Sequence, residues 1–306
     1  MALLRSNEIK IVESDTELET SPDEGEAWRV KLIEVGGLSA GDYVSVYIGR
    51  AVVGYFEVSP AGKNHLVPVI DGNTDENIFL TLKKYGKALV YPVAEGETIS
   101  VQSSSTASVI KITYDVYSAG DVSAEEPNGS KSNELTYLAY LTNTNDFDSS
   151  GYYTLDKITN PVEFPNFPVE SVPSKATIDV LALGGTALAT SVGDGSATLG
   201  TSYTTRFRIF YQRKVLFDPD RNGFLFKGNS GYSETGTTQT YDYTQSTNEM
   251  PFLEGYDKKI KFLDPVLHFE AGEEVNFQVG ATIDSNAPIE ANKLNVWTLL
   301  KITYTK

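Results

Sequence analysis

Hydrophobic and polar residues alternate one by one along many short stretches of this chain of 306 residues. The clearest alternations lie at residues 43–48, 177–183, 205–211 and 274–279. β-Branched and aromatic residues at every second position are typical of strands that bury one face. Short turns such as Gly36-Gly37 separate these stretches. The pattern therefore predicts an all-β protein built from sandwiches or barrels.

One segment, at residues 74–86, has helical spacing instead. Ile78 and Leu82 fall on one helical face, two lysines occupy the last turn, and Gly86 follows them. Thr74 is the predicted N-cap, with acidic residues in the first turn after it. The segment therefore predicts a short helix inserted between strands.

Three blocks of sequence recur in the same order in the two halves of the chain. The matching blocks are 79–80 and 92–93 with 252–253 and 265–266, then 96–102 with 272–278, and last 109–114 with 299–304. The offset between the copies grows along the chain, as insertions in loops would make it. We interpret the blocks as a duplicated β module that ends in two strands and carries a short helix in each copy. General similarity between strands is the alternative interpretation.

The duplication and a polar, small-residue stretch between the copies predict a domain organisation. It consists of an N-terminal arm at 1–20, a first module at 21–118, a linker at 119–133 and a second module at 134–306. Most of the extra length of the second module falls in two segments that we expect to be long loops. They are a proline-rich stretch at 160–173 and a Ser/Thr/Gly/Tyr-rich stretch at 228–248.

The charge of the chain excludes several classes of protein. It has 41 acidic and 25 basic residues, a formal net charge of -16, and no cysteine. An acidic chain lacks the cationic surface that binds nucleic acid, so we expect no direct nucleic-acid contact. Disulfides and thiolate chemistry are impossible without cysteine. We also expect no signal peptide and no membrane span, because no apolar run is long enough.

A search for catalytic motifs predicts that the protein is not an enzyme. The sequence has no Gly-x-Ser-x-Gly elbow, no phosphate-binding glycine loop and no dinucleotide fingerprint. It has two histidines, of which we interpret His268 as a strand or loop residue and His65 as a surface loop residue. The two tryptophans, Trp28 and Trp297, lie in apolar stretches that favour a place in the core.

One short segment has the spacing of metal ligands. Asp218, Asp220 and Asn222 place side-chain oxygens at alternate positions, and Gly223 follows them. This spacing is typical of a calcium loop, but Asn229 stands where an EF-hand has its bidentate glutamate. A plain β-turn is therefore the favoured interpretation, with a calcium site as the alternative. Neither interpretation, the turn or the calcium site, requires a cofactor.

Two β modules of jelly-roll size in tandem, with an inserted helix, a polar linker and long loops on the second, resemble a known family. They look like the double jelly-roll major capsid proteins of tailless icosahedral viruses, the lineage of adenoviruses, tectiviruses and corticoviruses. The likeness is strongest to the capsid proteins of membrane-containing bacterial viruses. It covers residues 21–306 and is a likeness of organisation rather than of a short motif.

The resemblance implies a structural role. Such proteins form homotrimers, the pseudo-hexameric capsomers of an icosahedral virion, and contact neighbouring capsomers and other capsid or membrane-associated virion proteins. The arm at 1–20 and the linker at 119–133 would contact neighbours. The resemblance implies no catalytic residue, calcium in some members, and a location in the virion capsid after synthesis in the host cytoplasm.

Two other functions are alternatives. A carbohydrate-binding adhesin or a phage receptor-binding protein would also be all-β and rich in tyrosine, with Tyr232, Tyr241 and Tyr243 as candidate contacts. A β-sandwich glycosidase or lyase would need two carboxylates that converge in a cleft. The duplicated module favours the capsid interpretation, because binding modules rarely need two fused copies of similar architecture.

Overall fold

The computed structural model describes a set of ranges that together cover most of the chain. They are residues 2–39, 41–58, 77–119, 134–157, 171–186, 189–192, 202–211, 214–216, 224–225, 240–242, 261–283 and 295–305. Strands dominate these ranges, with one short helix among them. The prediction of an all-β protein is therefore confirmed.

The chain divides into two compact units, one of Met1–Leu138 with Lys301–Lys306 and one of Ala139–Leu300. The first contains β1 (Leu3–Thr20), β2 (Glu26–Gly36), β3 (Tyr43–Ile48), β4 (Ala51–Glu57), α1 (Ile78–Lys84), β5 (Tyr91–Val93) and β6 (Ile99–Ser118). Next come β7 (Glu134–Thr142), in which the second unit begins, β8 (Gly151–Thr154), β9 (Asp156–Lys157), β10 (Ala176–Thr186), β11 (Ala189–Val192) and β12 (Ser202–Tyr211). The last are β13 (Lys214–Leu216), β14 (Phe224–Leu225), β15 (Thr240–Asp242), β16 (Lys261–Phe269), β17 (Val275–Thr282) and β18 (Asn295–Tyr304), whose end belongs to the first unit.

The predicted module and linker bounds stay a prediction, because residues 120–133 lie outside the described ranges. The helix predicted for the second module would also fall outside them, in 243–260. Within the predicted loop at 228–248 the structure places strand β15, which pairs with β11. Of the predicted loop at 160–173 the structure describes 171–173, where the backbone N–H of Val172 donates to the carbonyl of Glu273.

Strand β6 organises the first unit. Its 20 residues pair with β1 along one edge, and with β3 and then β2 along the other. The strand order continues from β2 to β5 and from β3 through β4 to β7, where the β4–β7 pair is parallel. The sequence predicted two separate strands within β6, and this was wrong. The polar stretch after Gln102 lies within one continuous strand: Ser103 pairs with Val44 and Ala107 with Asp15, and the pairing with β1 shifts register between Asp15 and Glu17.

The N-terminal segment predicted as an arm is part of this sheet. Residues 3–20 form β1, which pairs with β6 from Leu3 opposite Tyr117 to Thr20 opposite Ile99. The pairing shifts register near Asn7 and Ser14, the two non-glycine residues with positive φ, as β-bulges do.

Part of the core of the first unit lies on the face of this sheet that helix α1 covers. Inward side chains of β2 and β6 alternate with outward ones, and Val30, Ile33 and Ile112 are completely buried. Helix α1 covers this face, with the ring centroid of Phe79 6.1 Å from Phe56 and 6.0 Å from that of Tyr91. Burial of apolar side chains on this scale is the main favourable term in folding.

The helix begins later than the sequence predicted. Its N-cap is Asn77, whose side-chain oxygen accepts hydrogen bonds from the N–H groups of Phe79 and Leu80, so the assignment of Thr74 was wrong. The amide nitrogen of Asn77 also donates to the carbonyl of Ile33 at 2.8 Å, which ties the cap to β2. The helix end is as predicted, because Gly86 has φ of +72° directly after the last turn.

The second unit contains two groups of strands. In one, β10 lies between β16 and β18. In the other the order is β15, β11, β12, β17, β8, with β13 and β14 also paired to β12. Phe277 and Val279 on β17 are completely buried.

Two turns in the repeated blocks, at 94–97 and 270–273, have the same geometry. In each, the N–H of the fourth residue donates to the carbonyl of the first, at 3.0 and 3.1 Å. The carboxylate of the fourth residue, Glu97 or Glu273, accepts from the N–H of the first at 2.9 Å in both turns. The third residue is a glycine with φ of +79° or +82°. This shared turn is a structural likeness at the best-matched block of the proposed duplication.

Candidate interaction surface

Most of the residues singled out in the sequence lie where the structure describes no side chain. Asp218, Asp220 and Asn222 are outside the described ranges, as are His65, Tyr232 and Tyr243. Tyr241 is in β15 and Trp297 in β18, but neither side chain is described. Trp28 is 2% exposed, so its predicted place in the core is confirmed.

His268 is the histidine that the structure describes, and it lies between two carboxylates. It sits on β16 directly opposite Asp179 of β10. Its Nδ1 is 2.6 Å from a carboxylate oxygen of Asp179, and its Nε2 is 3.2 Å from one of Glu270. The imidazole is about half exposed, which agrees with the interpretation of His268 as a strand residue without a catalytic role.

The chemistry of this histidine is that of an ion pair. The hydrogen bond to Asp179, and then that to Glu270, raise the pKa of His268 above its ordinary value of 6.5, although partial burial opposes them. A general base needs one ring nitrogen free to accept a proton from a nucleophile. Here both ring nitrogens of His268 are hydrogen-bonded to carboxylates, so the arrangement favours a stable imidazolium over a catalytic base.

A cluster of tyrosines surrounds a buried carboxylate on the first unit's other sheet face. Tyr55 and Tyr137 are completely buried and stack with ring centroids 5.0 Å apart, and Tyr43 lies 5.2 Å from Tyr55. Glu57, which lies on β4 with Tyr55, is 2% exposed. Burial, and then the charge of Glu57, raise the pKa of Tyr55 and of Tyr137, so both phenols stay neutral. The cluster therefore supplies packing and hydroxyl dipoles rather than a nucleophile.

The most unusual surface is on β1. Exposed large apolar side chains are few in the described part of the chain, and four of seven belong to this strand. They are Leu3, Leu4, Ile9 and Ile11, each about half exposed, and we call them the β1 apolar surface. Exposed apolar residues that occur singly are normal, whereas contiguous exposed apolar patches are typical of interaction sites.

The neighbours of Ile9 and Ile11 explain why these side chains stay exposed. Ile9 is opposite Thr113 and Ile11 is opposite Lys111 on β6. This face carries ion pairs, with Lys111 Nζ 2.5 Å from Glu34 and Lys31 Nζ 2.6 Å from Asp115. A charged face gives the isoleucines no apolar layer to pack against within the described residues.

The start of β1 is held in place by charge. The guanidinium of Arg5 donates to both carboxylate oxygens of Glu26, at 2.7 and 2.9 Å. Both bonds come from one guanidinium nitrogen, Nη2, and charge-assisted hydrogen bonds of this kind are shorter and stronger than neutral ones. The β1 apolar surface is thus presented by an anchored strand.

No matching family model is found for this chain, and no curated protein matches it either. Within the described ranges, no group of three or more potential metal-binding side chains occurs. In that same part of the chain, no helix is long and apolar enough to cross a membrane.

Proposed function

We propose that this protein is a structural protein of a virus: a double jelly-roll major capsid protein that forms trimeric, pseudo-hexameric capsomers of an icosahedral virion. Its partners are further copies of itself, neighbouring capsomers and other capsid or membrane-associated virion proteins. The observation that carries the proposal is the division of an all-β chain into two compact units of comparable size.

The β1 apolar surface supports a role in assembly. A protein that works alone gains nothing from four exposed leucine and isoleucine side chains on one strand, and such a strand promotes association. A shell protein covers surfaces of this kind with neighbouring subunits. The large negative charge is compatible with a shell whose contacts are to protein rather than to nucleic acid.

The described titratable groups also favour a structural role over catalysis. His268, the one histidine that the structure describes, has both ring nitrogens hydrogen-bonded to carboxylates. The buried phenol of Tyr137 stays neutral because its pKa is raised. Both arrangements stabilise the fold locally. Neither brings together a nucleophile, a base and a binding cleft, which is what an enzyme requires.

The carbohydrate-binding alternative needs an open aromatic face for sugar stacking. Among the side chains that the structure describes, Tyr152 is the exposed aromatic, at 39%. The guanidinium carbon of Arg208 lies 3.4 Å from the centroid of its ring, so one face is already covered. This geometry favours the capsid proposal.

Negative-stain images of the purified protein test the proposal. We expect compact particles with threefold symmetry and six lobes, two from each chain. Particles with only two lobes at every concentration would contradict it, and a glycan-binding screen would then test the alternative.

A further inference from the structure

We propose that β1 is a self-association strand, which pairs antiparallel with β1 of a second copy about a twofold axis at Ile9, so that residues 8–10 of the two copies pair with one another. The inference rests on the proposed function only in taking the partner to be a second copy of this chain. A twofold contact cannot close a trimer, so it would join neighbouring trimers.

The backbone edge of β1 is available for such pairing. Among the described strands β1 hydrogen-bonds only to β6, so within that part of the chain no strand pairs with its other edge. It has 18 residues, whereas natural edge strands are usually short or blunted and strands average about 5–6 residues. A long open edge is the template that a second chain uses in strand addition.

The regular part of this edge is short and well defined. Positive φ values at Asn7 and Ser14 mark irregular positions on either side. Between them, residues 8–13 pair with 109–114 of β6 without any register shift. About an axis at Ile9, residues 8–10 can therefore accept another strand in a continuous ladder, and the irregular position at Asn7, opposite Ile11 of the second copy, limits the length of the contact.

The side chains of this stretch favour burial against a like strand. Ile9 is 54% and Ile11 53% exposed, and both lie on the same face because strand side chains alternate. In a pair of β1 strands with Ile9 opposite Ile9, Ile11 of each copy would be the diagonal neighbour of Ile9 of the other. Cross-strand apolar pairs of this kind are the usual source of sheet stability.

The charges select the antiparallel direction. The basic residues of β1, Arg5 and Lys10, come before four of its five acidic residues, Glu13, Asp15, Glu17 and Glu19, and the fifth, Glu8, lies between the two basic residues. Antiparallel pairing brings the basic half of one strand to the acidic half of the other, whereas parallel pairing would place like charges together. The charge pattern is thus complementary to itself only in the antiparallel arrangement.

The charges also select the register. With Ile9 on the twofold axis, Ile9 is opposite Ile9 of the second copy. Glu8 of each copy is then opposite Lys10 of the other, which gives two pairs of opposite charge. A shift that places Lys10 on the axis would oppose two ammonium groups. A shift that places Ile11 on the axis would oppose Ile9 to Glu13. Lys10 has no carboxylate partner among the described residues, and its Nζ lies 6.0 Å from the ring centroid of Trp28.

Single cysteines test this register, because the natural chain has none. The Cα atoms of opposite residues in an antiparallel pair are about 4.5–5.5 Å apart, within disulfide range. Under mild oxidation we expect Ile9→Cys to form a disulfide-linked dimer at least about tenfold faster than Ile11→Cys. The two Ile11 positions would be offset by four residues, about 13 Å, which a disulfide cannot span.

Ile11→Cys is a matched control, since the two residues have the same type, face and exposure. Equal rates for the two variants, faster linkage through Ile11→Cys, or no linkage in either would overturn the proposal. Melting curves equal to the wild type show that each variant is folded.

A second pair of variants separates this inference from the proposed function. We expect Ile9→Lys with Ile11→Lys to abolish species larger than the trimer and to leave the trimer intact. Val266→Lys, which alters an exposed apolar residue outside β1, should leave the larger species unchanged. Larger species that persist in the double variant contradict the β1 contact. A wild-type protein that never forms trimers contradicts the proposed function. In that case the rate of disulfide formation in Ile9→Cys, compared with Ile11→Cys, still tests whether two β1 strands pair.

Discussion

The hydroxyl group of Tyr91 lies directly against Gly54, at a point where a β-carbon would have no room. A β-carbon on Gly54 would overlap this hydroxyl and would also lie 2.9 Å from the ring of Phe56. Glycine is therefore required in the middle of β4 so that Tyr91, on β5, can be completely buried in the core.

This contact predicts the effect of one methyl group. Gly54→Ala should lower the free energy of unfolding by about 1–3 kcal/mol, because an overpacked core must move its side chains or backbone. The loss should be smaller in a Tyr91→Phe background, which removes the overlapping hydroxyl. Chemical denaturation of the four proteins of this cycle measures both effects. Gly151→Ala is the control: that glycine has open space around it, and equal losses at both glycines would contradict the account.

The carboxylates beside His268 predict a pH dependence. Because Asp179 and Glu270 raise the folded-state pKa above 6.5, the ion pair contributes its full stability below pH 6.5. That contribution is lost as the pH rises from about 6.5 through the higher folded-state pKa. An NMR titration of the imidazole protons, with His65→Gln to assign the two histidines, measures the folded-state pKa directly.

The two carboxylates should differ in their effect on this titration. Asp179→Asn should lower the pKa of His268 more than Glu270→Gln does, because the Asp179 hydrogen bond is the larger cause and the shorter contact. An unchanged pKa in Asp179→Asn would show that the ion pair does not form in solution.

The shared turn predicts that two distant glycines are equally sensitive. Gly96→Ala and Gly272→Ala should each cost about 1–2 kcal/mol, because both glycines have φ near +80°, a region that residues with a β-carbon avoid. Neither cost arises from crowding, since neither position has an atom within 4 Å of the added carbon. A loss at one glycine and none at the other, measured by denaturation, would contradict the equivalence of the turns.

The segment at 218–223 can be tested by ion removal. The favoured interpretation, a plain turn, predicts the same Tm in excess calcium and in chelator. A calcium site at Asp218, Asp220 and Asn222 would instead raise the Tm in calcium, because an ion that binds only the folded state stabilises it. Loss of that rise in Asp220→Asn would then assign the site.

Local patterns in the sequence predicted the strand character and the end of the helix. Alternation along 43–48 and 274–279 corresponds to β3 and β17, since a period of two suits one buried face. The glycine after the helix was readable because a left-handed C′ position strongly favours that residue.

Features that depend on distant residues could not be read in the same way. Thr74 and Asn77 are both good caps, and the bond from Asn77 to Ile33 on β2 has no local signal. The polar run inside β6 resembles a turn, but β3 pairs with its first residue, Ser103, and β1 pairs with Ala107 just after it, so the strand is not interrupted. The ion pair of His268 joins residues 89 positions apart.

The β1 apolar surface was partly visible in the sequence. Glu8-Ile9-Lys10-Ile11 alternates, yet the segment precedes the first predicted module, so the sequence predicted an arm there. Pairing with β6 shows why the isoleucines remain exposed: the face they share carries ion pairs rather than apolar residues.

The central claim is that this chain assembles with itself, and the mass of the purified protein tests it most directly. Light scattering across a range of concentrations should show a smallest stable species of three 33.5 kDa chains, about 100 kDa. Larger species should be multiples of that mass. A single species of one chain at every concentration would contradict the account.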